Sequence, residues 1–178
     1  MEIKKITIND LDTLKAIYLE AFPSNERKPF FNLKKAIKNG KAIAYGAKEN
    51  DELCGFIITY TFKNLVLVDY LAVSSKIRSK GTGSLLIQDV IKNYQDKIIV
   101  LLIEKIDENA TNYKMRISRK KFYLKNGFTS TNLFINSKGG NMEIMNYGGM
   151  VDSSDFMNLM EHALGKLYFR LSKMEFVK

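Results

Sequence analysis

The sequence predicts a single α+β domain, and three observations carry that expectation. Residues 42 to 73 hold three apolar stretches separated by tight polar turns, the mark of an antiparallel meander. Beyond residue 81 the apolar period becomes that of helices, alternating with further strands. The chain has 178 residues and is 46% hydrophobic, near a nominal domain length and enough to fill one core.

Taken in order, residues 1 to 8 alternate charged and aliphatic side chains and read as a strand. Asn9 and Asp10 offer N-cap chemistry to a helix near 10 to 22, where Leu11, Leu14, Ile17, Tyr18 and Phe22 recur at helical spacing. Pro23 to Pro29 is a loop holding both prolines of the chain, and a short amphipathic helix from Phe30 to Lys38 stops at Asn39-Gly40. The meander strands are Ala42 to Lys48, Leu53 to Phe62 and Leu65 to Val73, joined by the turns Glu49-Asn50-Asp51-Glu52 and Lys63-Asn64. A helix follows with Leu85, Leu86, Val90, Ile91 and Tyr94 on one face, then a buried strand from Ile98 to Glu104. The next helix, Asn112 to Lys125, ends at the C-cap signal Asn126-Gly127 before a strand beginning at Phe128. Gly139-Gly140 separates that strand from Met142 to Tyr147 as a hairpin. A final helix from Ser153 or Ser154 to Ser172 makes residues 151 to 178 a helical extension packed on a domain of residues 1 to 150.

Composition narrows the chemistry. The longest unbroken apolar run, Ile98 to Ile103, is six residues, far short of the ~18 a membrane span requires. No secretory leader is legible before the charged residues Glu2, Lys4 and Lys5, so the chain reads as cytoplasmic. Cys54 and His162 are the only residues of their kinds, which rules out internal disulfides and leaves no ligand set for a metal. The net charge of +9 favours anionic partners such as nucleic acid, phosphorylated cofactors or acidic surfaces, or else describes a lysine-rich solvated surface.

One window concentrates the chemistry: Leu71-Ala72-Val73 ends a strand, and Arg78-Ser79-Lys80-Gly81-Thr82-Gly83-Ser84 opens a helix. A helix N-terminus carries unpaired N–H groups and the positive end of the dipole, and Gly81 and Gly83 let an anion approach the backbone. Arg78 and Lys80 add charge that a diphosphate would use. A dinucleotide fingerprint would need glycine where Leu86 stands, and a P-loop would need lysine where Ser84 stands.

The hexamer RSKGTG matches R/Q-x-x-G-x-G/A after an L-A-V strand end, and here the sequence resembles the GNAT superfamily of N-acetyltransferases. Phe122-Tyr123-Leu124-Lys125-Asn126-Gly127-Phe128 is similar to that superfamily's F-Y-x-x-x-G-F signature, and Pro23 to Phe30 looks like a pattern of small bacterial members. The resemblance spans about residues 1 to 147. It implies the GNAT fold: a mixed, mostly antiparallel sheet, splayed between the strands at 65 to 73 and 98 to 104, flanked by helices, with an extra C-terminal helix here. It also implies a transferase, specifically an acyltransferase that uses acetyl-CoA as co-substrate and no metal. The loop Arg78 to Ser84 would bind the pyrophosphate, the backbone of Leu71, Ala72 and Val73 the pantetheine amides, and the Val73 N–H the oxyanion. By the same analogy Tyr123 protonates the departing thiolate, and Glu104 is the first candidate for general base, ahead of Asp69, Glu20 and Glu26.

The leading functional expectation is therefore an acetyl-CoA-dependent N-acetyltransferase acting on a primary amine of a small molecule or peptide. The alternative is a catalytically weak CoA-binding protein, or one that docks on nucleic acid or another partner through its basic surface. Nucleic acid is the weaker partner class, because Tyr60, Phe62 and Tyr70 are too few to make a stacking platform. No membrane partner is expected, and the final helix is the candidate element for a homodimer.

Overall fold

The computed structural model describes residues 1–77, 81–137 and 140–177. Eight strands and six α-helices are present among them: β1 (Glu2–Lys5), α1 (Leu11–Ala21), α2 (Phe30–Lys38), β2 (Ala42–Glu49), β3 (Glu52–Phe62), β4 (Leu65–Val73), α3 (Thr82–Asn93), β5 (Ile98–Glu104), α4 (Tyr113–Lys125), β6 (Thr129–Ser137), β7 (Gly140–Tyr147), α5 (Ser153–Leu164), α6 (Lys166–Ser172) and β8 (Glu175–Phe176). Strands and helices alternate as the periodicities predict, and the class is α+β. No helix among the described residues is long and apolar enough to cross a membrane.

By contacts the chain forms two compact units, one of residues 1–61 and 68–95, the other of residues 62–67 and 96–178. In the first, strands follow one another in the order β1-β2-β3-β4. β1 and β2 pair antiparallel, as do β2 and β3, with Glu2 opposite Lys48 and Ala44 opposite Ile58. The β2–β3 turn places Asn50 and Asp51 at φ 52° and 63°, the left-handed pair of a type I′ hairpin, and these residue types tolerate it. Gly55 on β3 is required by close approach, because a Cβ there would stand 2.8 Å from the Ala72 carbonyl oxygen. The core of this unit gathers Leu14, Tyr18, Leu33, Ala44, Phe56, Ile58, Leu86, Ile87 and Val90. On α3 the buried apolar residues are thus Leu86, Ile87 and Val90, while Leu85, expected on that face, is exposed.

The start of α1 also differs from expectation. Asp10 does not cap the helix; it accepts hydrogen bonds on Oδ2 from the Thr7 N–H and hydroxyl at 2.9 and 2.8 Å, closing a 3₁₀ turn in front of it. Its other oxygen receives the Lys48 ammonium at 2.6 Å. Burial works to raise the Asp10 carboxyl, but these partners outweigh it and hold the group below its ordinary range.

In the second unit the order is β5-β7-β6-β8, all antiparallel, with Glu104 opposite Met142 and Ile135 opposite both Met142 and Phe176. Val100, Ile103, Phe128, Ile135, Ile144, Met145, Phe156 and Leu159 fill its core. Asp152 caps α5 by accepting from the Ser154 and Asp155 N–H groups at 2.8 and 3.1 Å. The single final helix read from the sequence is broken: Gly165, at φ 82° and ψ 149°, ends α5 and starts α6. Helical spacing continues through the break, so periodicity alone hides it. The apolar face continues too, but Leu167 on α6 is 69% exposed.

Candidate active site

Within the first unit, eight residues separate the end of β4 from the start of α3. Ala72 is buried, with Leu71 and Val73 half-buried on either side of it. The Ser74 N–H returns to the Cys54 carbonyl at 2.8 Å, which fixes the strand end against β3. A 3₁₀ turn follows at Ser75 to Ile77, and its first N–H donates to Glu20 Oε1 on α1 at 2.8 Å. Glu20, a base candidate from sequence, is thus an anchor for the loop. Arg78, Ser79 and Lys80 lie outside the described residues.

The helix tip itself is Gly81 at φ 79° and ψ 4°, a left-handed N-cap that only glycine adopts without strain. Among the described residues, its chain neighbours aside, nothing lies within 4 Å of where its Cβ would be. No side chain among the described residues caps α3, and the first turn carries no acid. Helix geometry leaves the N–H groups of such a turn without intrahelical partners. Thr82 is only 2% exposed, and its hydroxyl has no hydrogen-bond partner among the described residues. Gly83 and Ser84, half-buried, complete the turn. An open glycine, an uncapped dipole and an orphaned hydroxyl are the features an anionic diphosphate needs, so these residues fit that group.

A neighbouring cluster in the same unit was invisible in the sequence. Lys28 Nζ binds both oxygens of Asp69 at 2.8 and 2.7 Å and lies 5.4 and 5.6 Å from the ring centroids of Tyr60 and Tyr70. Burial pushes both phenols up, with the Asp69 charge adding to the effect, so the rings stay neutral.

In the second unit, Tyr123 is buried on α4, its ring edge-on to Phe122 and Phe128 at centroid distances of 5.1 and 5.7 Å. Burial pushes its phenol up to about 12, against a smaller downward pull from the Arg119 guanidinium. Glu104, ending β5, accepts from Asn112 Nδ2 at 2.7 Å and, on its other oxygen, from Arg119. Arg116 approaches it at 3.6 Å and donates to Asn112 Oδ1 and the Lys105 carbonyl, each at 2.7 Å. Glu104 is thus paired with Arg119, the guanidinium whose charge also acts on Tyr123. A carboxylate whose two oxygens already serve fixed donors is poorly placed to take a proton from an amine. Asn112, Arg116 and Arg119 were missed by sequence reasoning. The run of basic residues on α4 without an acid was the available signal, since such a run needs carboxylates from elsewhere. Among the described residues no group of three or more His, Cys, Asp or Glu side chains is placed to hold a metal ion.

Comparison with known proteins bears on the same elements. The family described as an acetyltransferase (GNAT) domain matches residues 40–130, which include β2 to β5, the α3 tip and Tyr123. Comparison with curated proteins yields no matching sequence. Among solved structures, a protein from Bacteroides thetaiotaomicron assigned to the GNAT family superposes with a TM-score of 0.73 at 22% identity, over 95% of this chain and 99% of that one. The ribosomal-protein-S18-alanine N-acetyltransferase from Escherichia coli gives 0.65 at 17% identity, over 85% and 96%. An aminoglycoside 6'-N-acetyltransferase complexed with coenzyme A gives 0.67 at 19% identity, over 83% and 96%. These likenesses show the GNAT fold, and the family match over half of the sequence shows that this chain belongs to the GNAT acetyltransferases.

Proposed function

We propose that the chain transfers an acetyl group from acetyl-CoA to a primary amine, and that the α3 tip is where the donor's diphosphate is held. The observation that carries this reading is the uncapped first turn of α3, with its left-handed Gly81 and the unpartnered hydroxyl of buried Thr82. The N–H groups of that turn would bind the phosphate oxygens, and Thr82 would donate its idle proton. By the family resemblance Arg78, Ser79 and Lys80 belong to the same diphosphate-binding loop, and Arg78 and Lys80 would add positive charge to it. The main chain of Leu71, Ala72 and Val73 leads directly into this loop and would carry the amide arm of the donor. Acetyl-CoA supplies an acyl carbon activated by a thiol leaving group.

In the transfer the amine nitrogen bonds to the acyl carbon, the carbon–sulfur bond breaks, and the nitrogen's surplus proton passes to water. Tyr123 stays protonated at neutral pH, so it would present its O–H to the departing sulfur. A phenol held that high is a poor match for a thiol of pKa ~8.5, so its contribution is expected at the low end for general acids, about 10²-fold. Glu104 is best read as a positioning residue, holding Arg119, whose charge acts on Tyr123.

Calorimetry with acetyl-CoA, followed by thiol release against a panel of primary amines, tests the proposal. Saturable binding and amine-dependent thiol release are expected. Absence of binding at millimolar donor would overturn it.

A further inference from the structure

We infer that Asp69, with the ring faces of Tyr60 and Tyr70, is an anchoring subsite for an ammonium group of the acceptor, and that the Lys28 side chain is a tethered competitor for it. This deepens the proposed function and rests on it. The side chain of lysine is a butylammonium, and here it is bound as an alkylammonium ligand would be. Both carboxylate oxygens contact the nitrogen, at 2.8 and 2.7 Å, and two aromatic faces flank it at 5.4 and 5.6 Å.

The backbone around this lysine is held independently of its ammonium. The Lys28 N–H donates to the Tyr70 hydroxyl at 3.1 Å, the Tyr18 hydroxyl donates to the Lys28 carbonyl at 3.0 Å, and the Tyr70 hydroxyl donates to the Glu26 carbonyl at 3.2 Å. A loop already pinned by two phenols does not need the ion pair to stay in place. The Lys28 side chain is also 24% exposed against 11% for Asp69, so it is the partner with a way out to water.

Position on β4 says which nitrogen of the acceptor would sit there. Asp69 precedes Leu71 to Val73 by two to four residues, a span of about 7–13 Å at strand rise. An ammonium on Asp69 is therefore remote from an acyl group carried at the strand end. It anchors the acceptor, and a second amine reaches the thioester. The acceptor class is a molecule with at least two amines, separated by several bonds. A tethered ammonium competes at a high effective concentration, so single amines fail to displace it while polycations succeed by making further contacts.

The test uses the full chain and its Lys28→Ala and Asp69→Asn variants, with n-butylamine and spermidine as probes. Thermal shift with acetyl-CoA first checks that each variant is folded and binds the donor, so failure of the donor site is read apart from failure of the anchor. Lys28→Ala is expected to gain saturable n-butylamine binding that the parent lacks and to lower the KM for spermidine by roughly fivefold to tenfold. Asp69→Asn is expected to bind no n-butylamine and to raise the KM for spermidine, with the KM for acetyl-CoA unchanged. If Asp69→Asn does not fold, the gain of n-butylamine binding in Lys28→Ala decides alone. No gain of amine binding in Lys28→Ala, or a spermidine KM indifferent to both substitutions, overturns the inference.

Discussion

Thr82 is buried with a hydroxyl that pairs with no described residue. A structural hydroxyl in that position is a cost, and replacing it with an isosteric apolar group is neutral or stabilising. Thr82→Val is therefore expected to leave the melting temperature unchanged or raise it slightly, while weakening acetyl-CoA binding several-fold by calorimetry. A purely structural threonine would share the first half of that pattern but would leave acetyl-CoA binding unchanged. Tyr123→Phe is expected to lower kcat by about 10²-fold with donor affinity nearly unchanged, in steady-state thiol release. Glu104→Gln separates two roles for that carboxylate. A positioning residue predicts a loss of stability of about 1–3 kcal/mol by denaturant titration, because Arg116 and Arg119 lose a partner. A general base predicts instead a large fall in kcat with stability intact.

At the scale of elements, Asp10 ties the turn before α1 to β2 through Lys48. Asp10→Ala is expected to cost about 1–3 kcal/mol in denaturant titration. Its folded carboxyl is held below the ordinary value, so its stabilisation is complete above the unfolded pKa of ~3.9 and is lost as pH falls through the folded one. The acid limb of a melting curve should therefore be shallower in the variant. The strands of the meander and the buried face of α1 were legible because apolar period and turn chemistry coincide there: Asn50-Asp51 is both polar and left-handed. The break at Gly165 was not, since one glycine inside an unbroken helical period leaves no trace in that period. Two-residue β8 is too short to have a period at all. For the site, Gly81, Thr82 and Tyr123 could be named because their chemistry lies in contiguous motifs. Lys28 and Asp69 are 41 residues apart, and Arg119 and Glu104 are 15 apart; only the folded chain brings such pairs together.

For the molecule as a whole, phenols wholly or partly withdrawn from water bear on alkaline stability. Burial pushes Tyr123 and Tyr45 each up to about 12, against ~10 in an unfolded chain. Between those values the unfolded state loses protons that the folded state keeps. The stabilisation is therefore full below pH ~10 and declines as pH rises through 12. Melting temperatures over that interval should fall, and the decline should be less steep in Tyr123→Phe.

Gly55 carries a consequence well away from any reacting group. Its missing side chain is the space that the Ala72 carbonyl occupies, so a single added methyl would drive a wedge between two hydrogen-bonded strands. The strand so displaced is the one that runs into the helix tip. A mutation that alters no charge and removes no polar atom could thus silence the protein by shifting a rail on which the donor would have to slide.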